Sequence, residues 1–446
     1  MRPPLLFLLL VACAYLPVAQ AQTSVSEQDY FNDMPVVLSV SRLPQRLDET
    51  PGTVTVLDRD FIRQTGARDV ADLLRFVPGF QVSNAFENVA PAVSYHGAFS
   101  SYPNRLEVRI DGRSVYSPFF IGSIGPGLMS VALQDIERIE VLQGSNSAAY
   151  GARAILGVIN IVTRDPADTV GSRAAFAVGE NGIGDLQASI GWGDLIQTYR
   201  LTADTRGDDG LAGANGQNRV TRINFRADRR PNGVDEVQLR FGAMNIDSGK
   251  GLLGKIDNPL RDLSFGSGYL QFDWLRSLDQ EGDLAFNLSH SHETYRDAYP
   301  YALENLNPLL SRYGLSYRYG PSDFYTISAD GQSDSDAISL QYTRRFGPEV
   351  RAVLGGELRR EQIRSLGLYD TNDGVVTDFT RLFGNLEWRV QPSIIVNAGV
   401  MAEYASVTGD TLAPRLMVNW HMQPTQTLRI GVSKSYRPPS TFEEFS

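Results

Sequence analysis

From about Gly171 onward the chain alternates apolar and polar residues with a period of two, and in places the separation is complete. Thr221, Ile223, Phe225 and Ala227 fall on one face, while Arg222, Asn224, Arg226 and Asp228 fall on the other. Val237, Leu239, Phe241 and Ala243 against Gln238 and Arg240 repeat the pattern, as do Leu382, Gly384, Leu386, Trp388 and Val390 against Asn385, Glu387 and Arg389. Leu416, Val418 and Trp420, then Leu428, Ile430 and Val432, continue it. Successive side chains of a strand point to opposite faces, so each segment is a strand with one apolar and one polar surface. Such strands build a water-soluble sandwich that buries the apolar face, or a membrane barrel that turns it to lipid. Beyond the first residues no run is long and apolar enough for a membrane helix. All four tryptophans, Trp192, Trp274, Trp388 and Trp420, lie in the alternating segments, as an interfacial girdle requires.

The N-terminus sets the compartment. Met1-Arg2 is a short positive region, Leu5 to Ala14 is apolar, and Ala19-Gln20-Ala21 is a small-residue cleavage site, so residues 1–21 read as a secretory signal peptide. Leu10-Val11-Ala12 before the single cysteine, Cys13, also fits a lipoprotein pattern, with an unusually short leader. Cleavage after Ala21 removes that thiol, which excludes disulfides, cysteine-based metal centres and cysteine catalysis. The net charge of −10 argues against a sequence-independent nucleic-acid binder.

Before the alternating region lie three motifs in fixed order: DFIRQTGARDVADLLRFVPGF at Asp60 to Phe80, VRIDGRSVYSP at Val108 to Pro118, and IERIEVLQGSNSAAYGARAILGVINIVTR at Ile136 to Arg164. In the first, Asp58 suits a helix N-cap, Gly66 a helix end, and Val70, Leu73, Leu74 and Val77 an amphipathic stripe stopped by Pro78-Gly79. Strands are expected at Phe80 to Ser83, Ala92 to His96, Leu106 to Asp111, Ile139 to Gln143 and Val158 to Arg164. Together the motifs resemble the plug domain of TonB-dependent outer-membrane receptors. The resemblance implies a mainly β protein: an N-terminal α+β plug at 50–165, followed by an antiparallel transmembrane β-barrel from 171 to 446. The family's barrel has roughly 22 strands, whereas 171–446 has room for roughly 13, so the barrel is expected to be incomplete in this chain.

The same resemblance assigns roles. Residues 22–49 would be a periplasmic segment in which Met34, Pro35, Val36, Val37, Leu38, Ser39 and Val40 form a Ton box, which adds to TonB as a strand. The plain alternative is a first plug strand. Two aromatic and amide-rich plug loops, Asn84 to Pro91 and Ser114 to Gly127, would floor an extracellular ligand site. The candidate contacts are Asn84, Phe86, Glu87 and Asn88 in the first loop, and Tyr116, Ser117, Phe119 and Phe120 in the second. Such side chains suit a large, partly polar chelate. Packing of Phe119 and Phe120 against the barrel wall is the alternative. Tyr95-His96-Gly97 stands where the family usually has Arg-Gly, so His96 is a departure. Arg75, Arg105, Arg109, Arg138 and Arg153 are candidates to pair with inward barrel carboxylates, with a solvated surface the expectation for Arg153.

Arg206 to Gln217, Asp247 to Leu263, Tyr295 to Leu310 and Leu366 to Thr377 read as extracellular loops. The Asp204, Asp208 and Asp209 cluster offers oxygen ligands for calcium, but its spacing does not match a calcium loop, and a solvated acidic loop is the alternative. Gly249 to Ile256 (GKGLLGKI) fails as a phosphate loop because Ile256 stands where Ser or Thr is needed. His290 and His292 share the parity of Leu284, Phe286 and Leu288, placing them at the membrane interface without an evident third metal ligand. No Gly-x-Ser-x-Gly motif occurs, and no enzyme, cofactor or metal site is expected. The expected function is TonB-dependent uptake of a scarce chelate, foremost a ferric siderophore. Cobalamin or oligosaccharide import, or a passive porin or adhesion barrel, are the alternatives. TonB, the chelate, the lipid bilayer and the barrel-assembly machinery are the implied partners.

Overall fold

The computed structural model describes residues 36–37, 42–83, 89–97, 102–119, 121–210, 215–254, 258–423 and 426–445, all in the compact unit that begins at Val36. Strands β1 (Val36–Val37) and β2 (Gln45–Arg46) pair antiparallel. Then come β3 (Thr53–Asp58), β4 (Phe80–Ser83), β5 (Ala92–Tyr95), β6 (Leu106–Ile110), β7 (Arg113–Ser114), β8 (Ile136–Gln143) and β9 (Gly157–Thr163). β4 and β5 form a hairpin, and the others form a sheet ordered β3-β8-β9-β6-β7. Within it β6 and β9 run parallel.

Two helices cover this sheet. Helix α1 (Arg59–Gln64) starts where the Asp58 carboxylate accepts from the Phe61 amide, and it ends at Gly66, whose φ of +68° suits glycine. Helix α2 (Val70–Leu74) is capped by Asp69, which accepts from the Asp72 amide. Its stripe of Val70, Leu73, Leu74 and Val77 is fully buried against Ile139, Val141, Ile159 and Ile161. Burial of such side chains contributes roughly 1.5–3 kcal/mol each. The strand expected to reach His96 ends at Tyr95 instead. His96 takes φ +50°, its amide donates to the Gly79 carbonyl, and its exposed ring lies 4.1 Å from that of Tyr95. It makes no barrel contact among the described residues and does not replace the family's arginine.

The rest is one antiparallel sheet of 13 strands. These are β10 (Gly171–Val178), β11 (Gly184–Gly193), β12 (Gln197–Asp208), β13 (Asn218–Arg229), β14 (Asp235–Lys250), β15 (Arg261–Ser277) and β16 (Gly282–Arg296), followed by β19 (Gly331–Phe346), β20 (Val350–Ser365), β21 (Thr371–Gln391), β22 (Ile394–Ala405), β23 (Gly409–Gln423) and β24 (Gln426–Ser433). A separate hairpin, β17 (Ala298–Ala302) with β18 (Phe324–Ser328), fills the long connection between β16 and β19, so this loop runs well past Leu310. The outer strands β10 and β24 are each paired on one side only among the described residues. A mainly β molecule with an α+β plug and an antiparallel barrel sheet is what the sequence leads one to expect.

The alternation sorts as read. Arg222, Arg226 and Asp228 are buried toward the plug, while Ile223, Leu382, Leu386 and Trp388 are exposed on the outer face. All four tryptophans sit near the ends of β11, β15, β21 and β23, where connections are short. Short turns mark the periplasmic rim, so the tryptophans form one girdle there, and the long connections face outward. The outward histidines do have carboxylate neighbours, contrary to expectation: His290 meets Asp336 at 2.8 Å and His292 meets Asp334 at 2.7 Å, each across the β16–β19 pair. Among the described residues no three ligating side chains converge on a metal position.

Candidate functional site

On the long-connection side, between plug and sheet, lies a cavity of about 530 Å3. Its plug side includes Val89, Ala90, Pro91, Ser117, Phe119 and Pro126, and its wall side Lys250, Arg261, Phe265, Tyr295, Asp297 and Tyr299. Lys250 closes β14, Arg261 opens β15 and Asp297 follows β16, so three strand ends bring them together. The Asp297 carboxylate accepts from Lys250 Nζ at 2.8 Å and from Arg261 Nε at 2.6 Å. Burial alone would raise its pKa, but those two hydrogen bonds outweigh burial and hold it below the usual carboxylate range. A second carboxylate, Asp330, accepts from the Asp297 amide at 2.8 Å, so two cations and two anions meet at this end of the cavity. The Arg261 guanidinium also lies over the Tyr299 ring at 4.0 Å. A pocket with aromatic walls and two hydrogen-bonding cations suits a ligand that carries acceptor oxygens beside flat or apolar groups.

The sequence candidates distribute unevenly over this cavity. Ser117 and Phe119 line it. Phe119 also packs on Tyr295, with ring centroids 5.3 Å apart, and joins a cluster with Ile363 and Tyr369, so it serves both packing and lining. Tyr116 lies outside the cavity lining: the Arg153 guanidinium covers its ring at 3.8 Å, and burial pushes its hydroxyl up to about 12. Asn84, Phe86, Glu87, Asn88 and Phe120 lie outside the described residues, as do Met34, Pro35, Leu38, Ser39 and Val40. Val36 and Val37 form β1. Lys250, Arg261, Asp297 and Tyr299 were missed singly, although their loops were recognised. A signal was available: the chain holds only three lysines, and two of them, Lys250 and Lys255, fall in the rejected GKGLLGKI stretch.

Below the cavity, plug and wall meet through charge. Arg153 pairs bidentately with Glu361, at 2.9 and 2.7 Å, and is buried, which corrects the expectation of a solvated side chain. Its neighbour Arg109 faces Glu357 at 3.5 Å. Glu357 also takes Arg381 at 2.7 Å and Arg359 at 3.2 Å, and Arg381 bonds Glu403. Arg75 and Arg138 pair within the plug, with Asp72 and Glu140, and Arg105 is exposed. The suspected calcium acids are arginine partners instead: Asp204 bonds Arg222, and Asp208 bonds Arg68 of the plug. Asp69, the α2 cap, also receives Arg206 at 2.6 Å, so one carboxylate ends a helix and ties it to β12.

Residues 46–158 match the TonB-dependent receptor plug domain, and residues 191–446 match the TonB-dependent receptor-like β-barrel. The chain is 24% identical, over 92% of its length and 61% of the relative's, to an iron-regulated outer membrane virulence protein of Vibrio cholerae. A vitamin B12 transporter, BtuB, of Vibrio vulnificus is 32% identical over 39% of the chain and 26% of its own length. Among solved structures, the siderophore receptor PirA of Acinetobacter baumannii superposes with a TM-score of 0.69 at 14% identity, covering 87% of this chain and 61% of that one. The ferric enterobactin receptor PfeA of Pseudomonas aeruginosa does so with a TM-score of 0.69 at 14% identity, covering 88% and 64%. The chain thus spans about three fifths of the length of the Vibrio cholerae protein and of the PirA chain.

Proposed function

Because the chain belongs to the family of TonB-dependent receptors of the outer membrane, we propose that it takes up an anionic metal chelate, foremost a ferric siderophore, through TonB-driven movement of its plug. The observation that carries this reading is the 530 Å3 cavity, where Lys250 and Arg261 share Asp297 beside Phe119, Tyr295 and Tyr299. Charge-assisted bonds from Lys250 and Arg261 and stacking on the rings would hold a chelate. A relative named as iron-regulated and neighbours named as siderophore receptors support iron as the cargo. Cobalamin is the second reading, favoured by the B12 transporters among the relatives.

Coupling would pass through Met34 to Val40. Within that segment Val36 and Val37 are extended and paired with β2, so strand addition to TonB would exchange that pairing for one with the partner. Val37→Pro removes one backbone donor and should stop uptake while sparing ligand binding. The decisive test compares uptake of iron chelates and of cobalamin by cells carrying the receptor and by cells lacking it. Lys250→Ala with Arg261→Ala should weaken surface binding of the chelate at unchanged receptor abundance. Binding equal to that of the parent would remove the cavity from the ligand site, and import of cobalamin alone would replace the siderophore reading.

A further inference from the structure

The plug does not grip the wall equally all round. Strands β11 to β14 and β20 to β24 each reach it with charged or amide side chains: Asp185, Arg206, Arg222 and Arg240 on one side, Glu361 and Asn419 on the other. Strands β16 and β19, in the middle of the sheet and far from its outer strands, differ. Among the described residues their side-chain hydrogen bonds with the plug are two, Ser117 Oγ to Glu293 at 2.6 Å and Arg113 to Ser291 at 3.3 Å, with no ion pair, beside the Phe119–Tyr295 ring contact at the long-connection end. Glu293 also accepts from Ser333 of β19 at 2.8 Å.

Directly below the ligand cavity, and sharing Pro126 and Phe265 with it, is a gap of about 30 Å3 edged by Ser130, Ser267, Ser291, Ser333 and Ser335. That is room for one or two waters. Arg113 Nε and Ser114 Oγ at its edge are buried without a protein partner, as befits a wet site. Farther toward the short-turn rim, the inward residues Asn287, Ala337, Ser339 and Gln341 are only half-buried, whereas Asn385, Asn397 and Ala413 across the sheet are buried under the plug.

We infer that the β16–β19 sector is a hydrated seam, closed at its top by the Ser117–Glu293–Ser333 bridge, along which plug and wall part to pass the ligand to the periplasm. Small side chains and the lack of a plug–wall arginine–carboxylate pair make parting cheaper there, since two single hydrogen bonds, one from the Arg113 guanidinium and one to the Glu293 carboxyl, yield to water more readily than buried bidentate ion pairs. The transport part of this inference rests on the receptor reading above; the hydration part does not.

The test uses the receptor in outer membranes, with Ser339→Cys on β19 compared with Ala413→Cys on β23, each probed with a small, charged, membrane-impermeant thiol reagent. Ser339→Cys should react at least about tenfold faster, because reactivity follows access. A bulky maleimide attached at Ser339→Cys should abolish most uptake and leave surface binding unchanged, with receptor abundance as the folding control. Equal labelling of the two cysteines, or full uptake through the maleimide adduct, would overturn the seam. Failure of the parent receptor to import any chelate, with the labelling contrast intact, would instead count against the receptor reading alone.

Discussion

Plug and wall are built on opposite plans. In the plug, apolar side chains such as Leu73, Val108, Ile139 and Val141 are buried centrally and charge lies outside. In the wall, Leu354, Leu382, Ile430 and Val432 face outward, and the inner surface carries Arg206, Glu357, Arg381 and Glu403. The two surfaces that meet are therefore largely polar, with a few apolar patches between them. The hydrophobic effect holds each part together and joins one to the other only at local patches, such as Val89, Ala90 and Met129 against Val220, Met244, Ile246 and Phe265. Elsewhere adhesion is left to ion pairs and hydrogen bonds, which can be exchanged for water one at a time when the plug is pulled.

That contrast can be broken at graded strengths. Val141→Asp places a carboxylate with no partner in the apolar plug core and should cost more than about 4 kcal/mol. The plug should then be digested by trypsin in outer membranes while the wall persists; a resistant plug would mean its core does not hold it together. Arg153→Met leaves Glu361 buried without its bidentate partner, for roughly 3–5 kcal/mol, at the low end because Arg359 stays 3.7 Å away. Replacing both, Arg153→Met with Glu361→Leu, should recover most of the loss in the same proteolysis assay. A double variant as weak as the single one would show that the pair is not the unit of adhesion.

Leu354→Lys puts a charge on the lipid face and should cost roughly 2–4 kcal/mol, read as a lower temperature for the heat-induced gel shift of the receptor. An unchanged shift would place Leu354 outside the hydrocarbon band. The smallest effect belongs to Arg360→Ala. Its pair with Asp378, at 2.7 Å, is exposed on the outer face, and its loss should leave the same measurement nearly unchanged. A large loss would make that outer pair structural, unlike other exposed pairs.

Local signals explain how much could be read beforehand. Asp58, Gly66 and the stripe from Val70 to Val77 fixed the helices because capping and periodicity act over a single turn. The Asp69 cap was legible by the same rule and was overlooked. Arg153 was misjudged because no local feature distinguishes it from Arg75; only the approach of β20 supplies Glu361. The acids Asp204 and Asp208 suggested a calcium site for the same reason, since their arginine partners lie on β13 and in the plug.

By itself the sequence determined the two-faced strands, the plug and the order of its elements, and which surface of each strand is polar. Those properties follow from side-chain geometry repeated every two or four residues, which neighbouring residues enforce. Only the tertiary structure decided that Lys250, Arg261 and Asp297 meet in one cavity, that Arg153 is buried, and that β16 and β19 face the plug with serines. Each of these depends on register between strands far apart in the chain, where one step of slip would exchange the inner and outer faces.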